Sequence, residues 1–208
     1  MSDLFNAILN GSAPRATEAV RTAIEGGAAA LDLVQREMVP AMDEVGRRFG
    51  CEEYFVPELL LAARAMKAAL ALIRPLLASS GAQPAGRVVI GAVKGDLHDI
   101  GKNIVAAMLE GAGFEVTDLG ADVAPERFVE AVRATHPHLV CLSALLTVTM
   151  PAMRTTLNAL SAAGLRGQVK VIVGGAPVTA RYGDEIGADG YGENAAAAVA
   201  LARKLVDA

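Results

Sequence analysis

The chain has 208 residues, of which 53% are hydrophobic, 20% charged and only 4% aromatic, and its formal net charge is −4. This balance excludes intrinsic disorder and collagen-like repetition, and the length suits one large domain or two small ones. No basic stripe accompanies the 19 basic and 23 acidic residues, so we expect no nucleic-acid partner.

We also expect neither a membrane-spanning helix nor a secretory signal. The longest apolar stretch, residues 139–153, is interrupted by hydroxyl side chains and is shorter than the roughly 20 residues of a spanning helix. The first residues lack the basic region and apolar core of a secretory signal. We therefore expect a cytoplasmic protein with no membrane partner. Cys51 and Cys141 form no Cys-x-x-Cys pair, so neither a disulfide framework nor a zinc ribbon is predicted.

The first 80 residues show helical periodicity. Apolar residues recur at spacings of three and four in four segments, which predicts four amphipathic helices joined by short turns. Pro40 lies inside the third segment and is expected to bend it, while Pro57 is expected to begin the fourth. Such helices favour a bundle, so we predict a helical domain over residues 1–80.

Residues 81–86 are predicted to be a linker, because they carry chain-breaking residues and no apolar periodicity. From residue 87 to 208, short β-branched runs alternate with helical segments, which favours a parallel sheet covered on both faces. Five strands fit a flavodoxin-like order, and ligands bind such sheets beyond the carboxyl ends of the strands. The loops after the first, third and fourth strands are therefore the candidate site. The predicted strands cover residues 88–93, 114–119, 139–143, 169–173 and 190–191, and the predicted helices cover 104–109, 125–135, 151–163 and 194–206.

Residues 94–103, which follow the first predicted strand, are the most polar segment of this half. A phosphate-binding loop would need four residues before its Gly-Lys, but five separate Gly95 from Gly101, and the glycines also miss the dinucleotide spacing. What remains is a histidine flanked by acids. Because a metal-ligating histidine usually donates its second ring N–H to a carboxylate, Asp96 and His98 are a candidate ligand pair. An ordinary solvated turn is the alternative.

Two further loops are unusually rich in small and hydroxyl residues. Ser143 to Thr149 follows the third predicted strand, and Gly174-Gly175 follows the fourth. Paired glycines let the backbone approach a bulky ligand closely, although a tight turn would also use them. A receiver domain is disfavoured, because such domains have an acidic residue at the end of the third strand, and this chain has Ser143 there.

Taken together, these segments resemble a known three-part motif. Asp96-Leu-His98-Asp-Ile-Gly101, Ser143-Ala-Leu145 and Gly174-Gly175 are similar to the motif of cobalamin-binding domains in methionine synthase, corrinoid methyltransferase proteins and carbon-skeleton mutases. Residues 39–49 and 54–66 resemble the helical cap of methionine synthase and the corrinoid methyltransferase proteins, which mutases lack. The resemblance covers nearly the whole chain and is that of a small corrinoid protein of a methyltransferase system.

The resemblance implies a role for each member of a relay below the cobalt. His98 would be the metal ligand, in the lower axial position that the cofactor's own dimethylbenzimidazole vacates, and Asp96 would accept the ring N–H of His98. The third member of the family's relay is usually a serine two residues beyond a threonine. Here Thr149 follows Thr147 at that spacing, which keeps the hydroxyl group but adds a methyl group.

The resemblance also implies the remaining cofactor contacts. Gly101 would let a helix begin against the corrin, and Phe55 would form an apolar lid over the methyl-bearing face, unless it is core packing. Ser143 and Leu145 would contact the displaced nucleotide tail, for which the paired glycines leave room. The residues expected to contact the cofactor are Phe55, Asp96, Leu97, His98, Asp99, Ile100, Gly101, Ser143, Leu145, Thr147, Thr149, Gly174 and Gly175.

The implied function is that of a methyl carrier. The corrinoid would accept a methyl group on Co(I) from a substrate-specific methyltransferase and donate it from methyl-Co(III) to a second methyltransferase, while a reductive activation protein restores oxidised cobalt. Such a chain would not turn over alone. Three alternatives remain: a cobalamin-dependent sensor or scaffold, the small subunit of an adenosylcobalamin mutase, and a metal or flavin binder without a corrinoid.

Overall fold

A computed structural model describes residues 2–80 and 84–207. These residues form two compact units. The helical unit comprises the described residues up to Pro84 together with Ala107–Gly113, and the sheet unit comprises Ala85–Ala106 and the described residues from Phe114 onward. Residues 81–83 of the predicted linker lie outside the described residues. The sequence pattern does not predict that residues 107–113 belong to the helical unit. This grouping depends on tertiary packing, which the periodicity of a single segment does not report.

Up to Pro84, the described residues of the helical unit form four helical segments, one of which has three consecutive parts. Its first helix is capped by Ser2, whose hydroxyl oxygen accepts a hydrogen bond from the Phe5 backbone N–H at 3.1 Å. Its buried side chains are aliphatic or methionine. The elements are α1 (Asp3–Leu9), α2 (Ala13–Glu25), α3 (Ala30–Leu33), a π-helical turn (Val34–Met38), α4 (Val39–Gly50) and α5 (Val56–Ser80).

The π-helical turn ends two residues before Pro40, where the sequence predicts a bend. Pro40 has no N–H to donate, and in a regular α-helix its ring would press on the carbonyl group four residues earlier. In the structure the Val39 N–H donates to the Val34 carbonyl oxygen, five residues back. The wider turn thus accommodates the proline without ending the helical segment.

The sheet unit has five parallel strands in the order β2-β1-β3-β4-β5, which confirms the predicted α/β class, a helical cap followed by a flavodoxin-like sheet. One short helix, α9, and a 3-10 turn over Arg166–Gln168 were not predicted. The elements from residue 87 onward are β1 (Arg87–Ala92), α6 (Ile100–Gly111), β2 (Glu115–Asp118), α7 (Pro125–Thr135), β3 (Leu139–Ser143), α8 (Pro151–Ala162), β4 (Lys170–Gly174), α9 (Ala180–Ile186), β5 (Gly190–Gly192) and α10 (Ala195–Val206). The residues of α6 from Ala107 onward belong to the helical unit.

The strand order places the candidate loops together. β1 pairs with β2 on one side and with β3 on the other, so the chain connections diverge from this point of the sheet. Ligands of such folds bind at the crevice beyond the carboxyl ends of the strands on either side of this point. Residues 93–99 after β1 and residues 144–150 after β3 therefore lie at one edge.

Over residues 2–80 and 84–207, none of the helices has both the length and the apolar character needed to cross a lipid bilayer.

Candidate functional site

The carboxylate of Asp96 joins the loop after β1 to the loop after β3. Its side chain is fully buried. Its Oδ2 accepts hydrogen bonds from the Leu145 backbone N–H at 2.7 Å and from the Thr149 hydroxyl group at 2.6 Å. Its Oδ1 accepts from the backbone N–H of His98 at 3.0 Å. One side chain therefore fixes both loops relative to each other.

The ring of His98 is held by the same carboxylate. Its Nδ1 lies 2.8 Å from Asp96 Oδ1, and since an ionised carboxylate only accepts hydrogen bonds, Nδ1 carries the proton. In the neutral imidazole the lone pair then lies on Nε2. The His98 side chain is 49% exposed, so this nitrogen has the protonation state and the exposure that a metal ligand needs.

Hydrogen bonding keeps Asp96 ionised despite its burial. Burial opposes the charged form, but hydrogen bonds from Thr149, Leu145 and His98 outweigh it and hold the Asp96 pKa well below its ordinary value. The negative charge is thus maintained next to the imidazole, where it holds the ring N–H of Nδ1 and leaves Nε2 as the nitrogen that could bind a metal.

Five exposed apolar side chains stand on the two loops and the first turn of α6. Leu97 is 75% exposed and Val148 80% exposed, which is costly in water unless a ligand or partner covers them. We call these five residues the apolar rim. They are Leu97, Ile100, Leu145, Leu146 and Val148.

The donor set fits a metal that arrives inside a macrocycle. Across the part of the chain that the structure describes, no group of three or more His, Cys, Asp or Glu side chains could hold a metal ion. A bare ion would need several protein ligands. A corrin ring supplies four nitrogens of its own, so one imidazole is sufficient, and the apolar rim suits its hydrocarbon periphery.

The packing of the strand ends requires glycine at positions 174 and 175. The sequence pattern alone is equally consistent with room for a ligand. A Cβ atom at Gly175 would lie 1.9 Å from the Ala144 carbonyl oxygen, and Gly175 has a φ of +126°. A Cβ atom at Gly174 would lie 2.9 Å from the Gly192 carbonyl oxygen. The glycines therefore allow the ends of β3, β4 and β5 to approach one another, which also positions Ser143 and the segment after it.

The structure places the other predicted site residues at different locations. Asp99 precedes α6 and its carbonyl oxygen accepts from the Asn103 N–H at 2.7 Å, while Gly101 lies in the first turn of α6, with no atom within 4 Å of an added Cβ. Thr147 is exposed in the loop after β3. Phe55 belongs to the helical unit, where its side chain is 63% exposed.

The sequence pattern does not predict two polar clusters that lie beside the site. Lys102 is fully buried, and its Nζ donates to Asp118 Oδ1 at 2.6 Å. The Asp122 carboxylate accepts from the Gly95 N–H at 2.8 Å. Both acids follow or end β2, whose loop was not assigned to the site. Leu146 and Val148 of the apolar rim were also missed, and their only sequence signal is apolar character within a loop.

Family comparisons agree with this geometry. A B12 binding domain family matches residues 86–200, and a second B12 binding domain family matches residues 2–74. The matches favour a corrinoid cofactor over the alternative of a metal or flavin binder on the same fold.

Individual relatives are similar over most of their length. Trimethylamine corrinoid protein 2 of Methanosarcina mazei is 45% identical over 197 residues, which cover 94% of this chain and 90% of that protein. A crystal structure of a cobalamin-binding protein from Desulfitobacterium hafniense is 36% identical, with a TM-score of 0.80 over 97% of this chain and 96% of that one. The methanol:cobalamin methyltransferase complex MtaBC from Methanosarcina barkeri contains a chain that is 31% identical, with a TM-score of 0.87 over 99% of this chain and 78% of that one. The resemblance seen in the sequence is thereby confirmed, and the chain belongs to the family of corrinoid proteins with B12 binding domains.

Proposed function

We propose that this chain is a corrinoid methyl carrier that works between two methyltransferases. A substrate-specific methyltransferase loads the methyl group, a second methyltransferase removes it, and a reductive activation protein restores the cofactor after accidental oxidation. The observation that carries the proposal is the exposed imidazole of His98, whose other ring nitrogen is held by the buried, ionised carboxylate of Asp96.

Each residue of the site has a task in this proposal. His98 Nε2 would ligate the cobalt, Asp96 fixes the ring and its tautomer, and the Thr149 hydroxyl group fixes Asp96 by donating a hydrogen bond to it. When bound, the corrinoid supplies a nucleophilic cobalt centre that takes up a methyl group and gives it on. The apolar rim would contact the corrin and exclude water from the site.

The methyl donor is selected by the partner methyltransferase in this proposal. The relative that is 45% identical is named for trimethylamine, and the complex that is 31% identical is named for methanol. Methylamines are therefore the first donors to test, with methanol as the comparison.

The axial ligand is tested by removing one histidine at a time. The protein is reconstituted with cobalamin, reduced to Co(II), and its paramagnetic resonance spectrum is recorded for nitrogen splitting from the imidazole. We expect His98→Ala to abolish this splitting. His138→Asn is the matched control, because it removes an imidazole from the opposite edge of the sheet while keeping an acceptor for the Arg87 N–H at the position of Nδ1. Splitting that survives in His98→Ala would contradict the assignment.

The carrier role is tested with and without a partner. Reduced holoprotein is mixed with trimethylamine, dimethylamine or methanol, alone or with a methyltransferase specific for that donor. We expect the methylated cofactor spectrum only when the methyltransferase is present. Multiple turnovers by the purified chain alone would make it an independent enzyme instead.

The lid role of Phe55 belongs to the same proposal. Its backbone N–H donates to Glu58 Oε2 at 3.0 Å, which fixes the turn at the start of α5 and leaves the aromatic ring exposed. We expect Phe55→Ala to speed photolysis of the methylated protein, because a methyl radical escapes faster from an uncovered face, while cobalamin affinity changes little. Leu31→Ala is the control, because it also removes an exposed apolar side chain of the helical unit. Phe5→Ala would not be a matched control, because Phe5 is half-buried in α1. Equal photolysis rates in both variants would remove Phe55 from the proposal.

A further inference from the structure

The loop after β2 contacts three consecutive residues of the histidine-bearing loop through one residue, Asp122. Its backbone N–H donates to the Asp96 carbonyl oxygen at 2.8 Å. Its Oδ1 accepts from the Gly95 N–H at 2.8 Å, and its Oδ2 accepts from Lys94 Nζ at 3.1 Å. Asp122 therefore holds the backbone on both sides of the Gly95–Asp96 peptide.

The conformation of Asp122 explains how it makes these contacts. Its φ is +53°, in the left-handed region that aspartate and asparagine tolerate better than most residues. Directly after it, the chain returns to the sheet, because Val123 forms a parallel bridge with Val93 and its N–H donates to the Ala92 carbonyl oxygen at 3.0 Å. The loop is thus anchored at its base while its acid reaches the Asp96 turn.

The charge of Asp122 is compensated locally. Lys94 Nζ lies within 3.1 Å of both carboxylate oxygens, and the Gly95 N–H together with Lys94 lowers the pKa of Asp122. Both side chains of the pair are substantially exposed, so water screens them further. Asp122 therefore acts on Asp96 by fixing its position, and the compensated charge of Asp122 has little electrostatic effect there.

From this arrangement we infer that Asp122 is a positioning residue for His98: it fixes the turn that carries Asp96, which in turn holds the imidazole. The inference rests on the proposed function, in which His98 ligates the corrinoid. It extends the site to the loop after β2, so that three loops and not two determine where the axial nitrogen lies.

The test separates the side chain of Asp122 from its backbone. Asp122→Gly removes the carboxylate but accepts a positive φ without strain, and Asp122→Asn restores an acceptor for the Gly95 N–H. Asp189→Gly is the matched control: Asp189 also accepts one backbone N–H, from Val171 at 2.7 Å, and also pairs with a basic side chain, Arg166. It precedes β5 and therefore lies at the opposite edge of the parallel sheet.

Two measurements are made on each variant. Amide hydrogen exchange at His98 and Leu145, whose N–H groups donate to Asp96, is followed without cobalamin. The fraction of protein with histidine nitrogen splitting is followed in the cobalamin-loaded Co(II) state. We expect exchange at both amides to be about fivefold faster in Asp122→Gly, the size of effect that one lost hydrogen bond has, and the split fraction to fall by about half. Asp122→Asn should lie within about twofold of the unmodified protein.

The outcomes distinguish this inference from the function on which it rests. If Asp122→Gly matches Asp189→Gly in both measurements, Asp122 positions nothing and the inference is wrong. If the unmodified protein shows no histidine splitting, the proposed function fails, and amide exchange alone then decides whether Asp122 fixes the Asp96 turn. Should Asp122→Gly not fold, Asp122→Ser replaces it, since a hydroxyl is too short to bridge Gly95 and Lys94 together.

Discussion

Two buried charges lie six residues apart at the edge of the sheet, and the protein stabilises them in opposite ways. Asp96 is surrounded by neutral donors: three backbone N–H groups, a hydroxyl group and an imidazole N–H. Lys102 has a counter-ion, since its Nζ lies 2.6 Å from Asp118 Oδ1 and also bonds Asn103 Oδ1. The side chains of Asp96 and Lys102 are each at most 2% exposed.

The difference separates a charge that acts on its surroundings from one that does not. An ion pair cancels most of its own field, so Lys102 and Asp118 influence little beyond themselves. Hydrogen bonds from neutral groups stabilise the Asp96 charge without cancelling it, so this charge acts on the His98 ring, whose Nδ1 lies 2.8 Å from Asp96 Oδ1. We therefore assign Lys102 and Asp118 to the fold and Asp96 to the chemistry.

The largest expected effect tests the ion pair. Asp118→Asn leaves the ammonium group of Lys102 buried without a counter-ion, which should lower the free energy of unfolding by about 3 kcal/mol. Urea denaturation at neutral pH measures this change.

Lys102→Met is the matched control for that prediction. It removes the buried charge at similar volume and leaves the partly exposed Asp118 to water, so it should cost less than Asp118→Asn. The double variant should be more stable than Asp118→Asn alone. If the two single variants lose equal stability, the fold depends on packing at this position and not on charge compensation.

The second prediction concerns the charge of Asp96. Asp96→Asn places an NH2 group where one oxygen now accepts hydrogen bonds, and we expect it to cost about 2 kcal/mol of unfolding free energy at pH 7. The Asp96 pKa is lower in the folded chain than its ordinary value of about 3.9. Its stabilising contribution is therefore fully present above that value and is lost as the pH falls below it.

The pH dependence gives this prediction its control. The stability difference between the unmodified protein and Asp96→Asn should be constant from about pH 8 to 5 and should shrink below about pH 4. A difference that stays the same at pH 3 would mean that the shape of the side chain, and not its ionisation, is what the loops require.

A smaller effect is expected at Thr149. Thr149→Val removes the hydroxyl group that donates to Asp96 at 2.6 Å, and the loss of one hydrogen bond to a carboxylate should cost about 1.5 kcal/mol. Thr149→Ser keeps the hydroxyl group and should stay within about 0.5 kcal/mol of the unmodified protein. If the serine variant is as unstable as the valine variant, the methyl group matters more than the hydrogen bond.

The smallest effect, and one of opposite sign, is expected at Gly101, which lies between the two charges along the chain. A Cβ atom there meets no atom within 4 Å, and alanine favours a helix over glycine, so Gly101→Ala should raise the unfolding free energy by about 0.5 kcal/mol. Cobalamin affinity, measured by absorbance titration, should nevertheless fall if the corrin lies against this turn. Unchanged affinity would show that Gly101 does not face the cofactor.

The sequence predicted the sheet unit well where strong local patterns exist. The predicted strand over residues 139–143 and the predicted helix over 125–135 agree with β3 and α7 residue by residue. α9 was missed because it has only seven residues and contains Gly183, which leaves too little periodicity to recognise. Short elements of this kind form because neighbouring elements hold them.

Prediction of the site followed the same division. The spacing of Asp96 and His98 within one loop suggested a bonded pair, and their atoms do lie within hydrogen-bond distance. The contacts of Asp122 with Gly95 and of Asp118 with Lys102 join residues 16 or more positions apart. Those contacts depend on β2 lying beside β1, so a pattern within one segment could not reveal them.

The π-helical turn before Pro40 has a consequence for chain length. A turn closed by an i to i−5 hydrogen bond holds one residue more than a regular α-helical turn, and the exposed residues Gln35 and Arg36 lie within it. Deleting one of them and replacing Pro40 with a residue that has an N–H would restore regular winding while Leu33 and Met42 kept their buried sides. Two members of the family can therefore differ by one residue in this helix, one with the proline and one without it, and still share the same core.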